Sequence, residues 1–184
     1  MSAQAQEALE RYFSQNALLL CNRSDELPYL ELAGGDWNAI VSLLERGDVF
    51  YSRLFKNRVT YLSPELYFAL KPYRRRLERL DANSLRLLDF LQAAGEASAE
   101  QMQQHYLLEK KAQTEALNRL VCELFVTVIR RDVTRNETWC TFTYGPAERW
   151  ETKQPREKHT PNVGEAEQIL LRQLSQKQVQ SLLK

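Results

Sequence analysis

The sequence is poor in the side chains that build metal sites and nucleophilic triads. Its 184 residues include two histidines and three cysteines. His105 and His159 stand far apart, so neither a histidine-based triad nor a histidine-rich metal site is readily assembled. Cys21, Cys122 and Cys140 are odd in number and share no paired spacing. That argues against zinc and against a disulfide framework, and for buried, reduced thiols in a reducing cytoplasm. An excess of one charge is also missing, since 25 Lys plus Arg face 24 Asp plus Glu; any surface that attracts nucleic acid must be local. Long apolar runs are absent too. Ala17 to Cys21 is far too short to span a bilayer, and no basic, apolar leader opens the chain, so no membrane partner is expected. No phosphate-loop lysine follows Gly34-Gly35 at the needed distance. Glu26, Glu31, Asp36 and Asp48 have no spacing that marks an acid–base pair and read as surface charge. No cofactor is expected.

What is present is a succession of amphipathic segments. Ala3 to Ser14 reads as a short helix, and Ala17 to Cys21 as a buried strand or packed turn. Trp37, Ile40, Val41, Leu43 and Leu44 recur at helical spacing, with Asp36 as the cap and Gly47 as the stop. Val49 to Phe55 fits either helix or strand, and Arg58 to Leu62 has strand composition. Ser63-Pro64-Glu65 opens another helix, which should end before Pro72. Tyr73 to Leu80 follows, and on a helix its arginines would spread over more than one face.

From Asp81 onward the signals sharpen. Asn83 or Ser84 caps a helix that stops at Gly95. Ser98 caps a second one through Gln104, with Ala99, Met102 and Tyr106 facing inward. A third runs from about Lys111 to Phe125. Val126 to Arg131 and Trp139 to Tyr144 are then strand-like, joined by a polar turn at Thr134 to Glu137. Trp139 and Trp150 are expected to close this hairpin against the helices. Three helices followed by a hairpin is the winged-helix order. The expected fold is therefore α+β and mainly helical: an N-terminal helical subdomain (1–80), a winged helix-turn-helix (81–150), a linker (151–164) and a C-terminal helical tail (165–184), split near Ser175.

Double-stranded DNA is the partner this order suggests. Lys110, Lys111, Gln113, Thr114 and Asn118 fall on the polar side of the third helix, where lysines can neutralise phosphates and amides can read adenine edges. Arg130, Arg131 and Arg135 flank or occupy the wing. Arg74, Arg75 and Arg76, with Arg79, form the densest basic run, part of which can pair with Glu78 and Asp81. Glu109, Glu115 and Asp132 dilute this positive field, which leaves a protein partner or a homodimer as another use of the same surface.

Two stretches, Gly47 to Phe55 and Val59 to Leu70, together with the closing Tyr144-Gly145-Pro146-Ala147-Glu148-Arg149-Trp150, resemble short bacterial AlkZ-related proteins over roughly Leu18 to Trp150. The resemblance implies kinship with winged-helix DNA glycosylases that remove damaged or crosslinked bases by means of a Gln-x-Gln motif. Gln4-Ala5-Gln6, Gln101-Met102-Gln103 and Gln178-Val179-Gln180 match its letters, yet none lies in a context resembling the catalytic loop. No catalytic residue is assigned. The full-length enzymes hold several winged-helix modules, whereas one is expected here. Non-catalytic DNA binding in repair or regulation is thus the leading expectation, with a glycosylase or a protein-interaction module as alternatives.

Overall fold

A computed structural model describes residues 3–74, 76–106, 109–136, 139–155 and 163–182. The chain is α+β, with two small antiparallel sheets among its helices. Helix α1 (Ala3–Gln15) leads into strand β1 (Leu18–Leu20), which is wholly buried. In α2 (Trp37–Arg46) the Asp36 carboxylate accepts from the Ala39 amide, and Gly47 closes the helix at φ 85, a conformation that suits a residue without Cβ. Strands β2 (Phe50–Phe55) and β3 (Arg58–Leu62) then form a hairpin, so the ambiguous Val49–Phe55 segment is a strand. Lys56 and Asn57 turn it with φ 49 and 56, the left-handed pair that matches strand twist in a tight hairpin. The first sheet runs β1-β3-β2 and sets Tyr61 opposite both Leu19 and Tyr51.

Helix α3 (Pro64–Leu70) starts on Ser63 with proline in its first turn. The arginine run beyond it is not a continuous helix. It folds as two single 3-10 turns, Lys71–Tyr73 and Leu77–Arg79, with no buried residue in either. Without an apolar stripe to bury, this stretch gains nothing from a longer helix.

Helix α4 (Ala82–Ala94) is capped by Asp81, not by Asn83 or Ser84; the Asp81 carboxylate accepts from the Ser84 amide at 2.9 Å and from its hydroxyl at 2.8 Å. Strand β4 (Ala97–Ser98) precedes α5 (Ala99–Tyr106). There Ser98 and Gln101 form a reciprocal cap: the Ser98 amide donates to Gln101 Oε1 at 2.8 Å and the Gln101 amide to Ser98 Oγ at 3.3 Å. Met102 is buried as expected, but Ala99 is exposed, because the cap turns the first residue of the helix outward. Helix α6 (Lys110–Cys122) ends before Phe125, since Leu124 adopts a left-handed φ of 62 that redirects the chain. Strands β5 (Val126–Asn136) and β6 (Trp139–Pro146) are longer than their composition suggested, so most of the expected polar turn is strand. The second sheet runs β4-β6-β5. Gly145 in β6 faces Gly95, whose carbonyl would lie 2.7 Å from an added Cβ, so only glycine lets the end of α4 approach this strand.

Helix α7 (Ala147–Glu151) follows directly, and α8 (Val163–Gln173) and α9 (Gln176–Leu182) form the tail. Ser175 separates them, and its hydroxyl and amide meet the Gln178 side chain.

Two hydrophobic clusters hold these elements, and both draw on residues before and after Leu80. The first joins Leu9, Leu19, Ile40 and Leu44 to Leu87, Leu91, Leu120 and Val128. The second joins Phe50, Leu62 and Tyr67 to Leu124, Ile129 and Trp150, and adds Leu170, Leu174 and Val179 from the tail. Trp150 therefore does not close the hairpin against α4 to α6. It is fully buried against Phe50 and Tyr67, and its indole N–H donates to the Val49 carbonyl at 3.1 Å. Thr127 of β5 bonds the Tyr51 backbone twice, at 3.0 and 2.9 Å, at the same junction. The side chain of Trp139 lies outside the described residues.

Candidate nucleic-acid interface

Helix α6 buries one side and exposes the other. Ala116, Leu120 and Val121 face the core, while Lys110, Lys111, Thr114 and Glu115 are exposed. The exposed residues lie at helical spacing, so they form one ridge over the first turns. Thr114 directs its hydroxyl to the Lys110 carbonyl at 2.8 Å.

Gln113 does not belong to that ridge. It is buried at 5% exposure, and its Nε2 donates to the Ala99 carbonyl at 2.7 Å, pinning the start of α5 to α6. Its position, two residues from Lys111, turns it roughly half a revolution away from the lysine, toward the packed side. Asn118 is half-buried and lines an open groove.

Three of the six arginines chosen from the sequence, Arg74, Arg130 and Arg131, are engaged within the protein. Arg130 in β5 pairs with Glu96, which also holds Arg149 at 3.0 Å. Arg131 is gripped by Glu45 of α2, with guanidinium nitrogens 3.3 and 3.0 Å from the two carboxylate oxygens and its backbone N–H donating at 3.1 Å. Burial pushes the Glu45 carboxyl up, but the Arg131 hydrogen bonds and charge outweigh it and leave the pKa below the ordinary value. Arg74 meets Glu148 at 3.3 Å and lies over the Phe125 ring at 4.3 Å, in place of the expected pairing with Glu78 or Asp81. Asp81 instead pairs with Arg119 at 3.1 Å. Arg76 is exposed. Arg75 lies outside the described residues, as does the side chain of Arg135, whose backbone belongs to β5.

Glu45 and Glu96 were not legible as partners, because each meets its arginine across a long sequence separation and sits in no motif. The same holds for Asn57 and Asn83, which reach the groove beside Asn118 from distant parts of the chain.

One glutamine of each Gln-x-Gln match makes a local structural contact. Gln6 donates to Glu10 at 3.0 Å on α1, Gln101 caps α5, and Gln178 caps α9. The cysteines are free thiols, and burial pushes Cys122 and Cys140 up, away from thiolate character. Among the described residues no cluster of three metal-ligating side chains occurs, and no helix is long and apolar enough to cross a membrane.

Residues 22–182 match the family model described as AlkZ related, which takes in β2 to β6 and α2 to α9. The chain belongs to the AlkZ-related family. The family match extends past Trp150 into the tail, whose apolar residues Leu170, Leu174 and Val179 lie in the second core cluster. Searches of curated proteins and of solved structures gave no match.

Proposed function

We propose that the chain is a non-catalytic winged-helix DNA-binding protein that serves DNA repair, with double-stranded DNA as its partner. In this reading residues 81–150 form the winged helix behind an N-terminal subdomain (1–80), and a linker (151–164) leads to the tail (165–184). The first turns of α6 enter the major groove and the β5–β6 hairpin acts as the wing.

The observation that carries the reading is the exposure of Lys110 and Lys111 in the first turn of α6. Cations at the positive end of a helix dipole each cost about 0.3–1 kcal/mol, so helix stability gives no reason for them. A phosphate at that end would meet the lysines and the unpaired helix N–H groups together. AlkZ-related membership supplies the link to repair.

Titration of a labelled duplex at several salt concentrations tests this. Each phosphate contact contributes about 0.9 to the slope of log affinity against log salt. The Lys110→Ala/Lys111→Ala variant should therefore show a slope shallower by roughly 1.8. Unchanged slope and affinity would remove the proposed surface. Release of a free base from an alkylated duplex by the unaltered protein would replace this reading with a glycosylase.

A second reading, a protein-interaction module, is favoured by one observation. Glu109 and Glu115 are exposed beside the two lysines, so this ridge is close to neutral. Concentration-dependent self-association that the lysine substitutions abolish, with no duplex binding at low salt, would support it.

A further inference from the structure

A recess of about 220 Å³ lies where the end of α1 and the start of β1 meet the Glu26–Pro28 loop and the tail. The hydrogen bonds around β1 explain its polar edge. The Ala17 carbonyl accepts from Ser63 and the Cys21 N–H donates to Val59, so Ala17, Leu19 and Cys21 bond toward β3, while Leu18 and Leu20 point their amides to the opposite edge. There Leu20 pairs in parallel with the loop: its N–H donates to the Pro28 carbonyl and its carbonyl accepts from Leu30, both at 2.9 Å. One step earlier the ladder needs an N–H from Pro28 for the Leu18 carbonyl, and proline has none. The Tyr12 hydroxyl donates to that carbonyl instead, at 2.8 Å, and the Glu26 carbonyl lies 3.5 Å from Gln178 Nε2. Among the described residues nothing accepts from the Leu18 N–H, although Leu18 is buried and lines the recess. Arg172 of α8 lines it too and has no carboxylate partner among the described residues. We propose that this recess binds a small carboxylate ligand.

The chemistry of the walls selects that occupant. A buried strand amide without an acceptor is costly, and an unpaired guanidinium beside it calls for negative charge. A carboxylate offers two acceptor oxygens and no donor, one for the Leu18 N–H and one for Arg172. Glu26, the one carboxylate in the described wall, is tied to Lys56, and Lys177 and Arg58 add positive charge around it, so the local field favours an anion. Buried Ala17, Leu27 and Leu174 supply an apolar wall for the body of the ligand. Pockets for drug-sized molecules run to about 300–1,000 Å³, so this smaller recess suits a metabolite-sized acid. No residue of α4 to α6 lines it, so the proposal stands or falls apart from duplex binding.

Amide NMR of the isotope-labelled full chain, titrated with sodium benzoate or sodium acetate, tests the site. The Leu18 resonance should move downfield and saturate, because its N–H gains a charged acceptor. Benzamide keeps the ring and loses the charge, and should bind at least about tenfold more weakly. Arg172→Gln should weaken benzoate binding about tenfold, the worth of one charge-assisted hydrogen bond. Arg79→Gln, the same charge loss at an exposed arginine outside the recess, should leave it unchanged. The unaltered Leu18 resonance in the ligand-free variants confirms that each is folded. No saturable shift at Leu18 with either carboxylate would overturn the proposal. Equal binding of benzamide would do the same, as would equal losses from the two arginine variants. Inorganic phosphate that binds the recess more tightly than either acid would also overturn it, by making phosphate the ligand class.

Discussion

Replacing Trp150 with alanine should cripple the fold far from any proposed binding surface. The indole is fully buried, packs edge-on to Phe50 and Tyr67 at 5.1 and 5.0 Å, and donates to the Val49 carbonyl. Truncating a buried aromatic to alanine costs about 3–5 kcal/mol through lost burial and the cavity left behind. The aromatic edge contacts add about 0.5–1.5 kcal/mol per pair, so the upper part of that range is expected here. Against a typical total stability of about 5–15 kcal/mol, such a loss leaves the variant marginal. Each kcal/mol shifts Tm by about 2–4 °C in a chain of this length, so the melting point should fall by roughly 10 °C or more. Trp150→Phe keeps one aromatic ring but gives up the rest of the indole and its N–H donor to the Val49 carbonyl. It should cost at least about 1–3 kcal/mol, the penalty for a buried polar group left unpaired, yet less than the alanine variant. Urea denaturation followed in parallel by far-ultraviolet circular dichroism and by tryptophan fluorescence reads both effects. Because Trp150 joins the two sides of Leu80, the curves should coincide and move together. A loss under about 1 kcal/mol for the alanine variant, below any buried aromatic truncation of this kind, would refute the reasoning. So would two separate transitions of which only one shifts.

Two further outcomes follow from particular side chains. Gln113→Leu should change stability by under about 1 kcal/mol, because it removes a buried oxygen that has no described hydrogen-bond partner while giving up one bond to the exposed Ala99; its duplex affinity, measured in the same titration as the lysine variant, should equal that of the unaltered protein. The Glu45–Arg131 pair predicts an acid-sensitive junction between α2 and β5. The folded pKa of Glu45 is depressed, so its stabilising contribution is complete above the unfolded glutamate value, about 4.3, and is lost as pH falls through the lower folded value. The urea midpoint should drop across that acidic window, and Glu45→Gln should flatten the drop; an identical pH profile in the variant would contradict the assignment.

Much of the secondary structure was legible because its signals are local. Asp36, Ser63 and Ser98 cap helices through bonds to residues three positions on, and Gly47 and Gly95 stop them. The cap of α4 was misread because Asp81, Asn83 and Ser84 all have the right chemistry, and only the backbone path shows that Ser84 is the donor. The lysine ridge on α6 was likewise readable from periodicity. Gln113 was not, since a polar letter near the edge of a helical stripe does not reveal which neighbour will cover it.

The positions and caps of most helices and the exposure of the first turn of α6 were thus set by short-range spacing and capping chemistry, whereas the strand at Phe50–Phe55 was not. What only the tertiary structure decided was the fate of the charges and of Trp150. Arg130, Arg131 and Arg74 are neutralised by Glu96, Glu45 and Glu148, and the indole crosses to Val49. Such pairings depend on where distant segments meet in space, and electrostatic and packing partners separated by tens of residues leave no periodic trace along the chain.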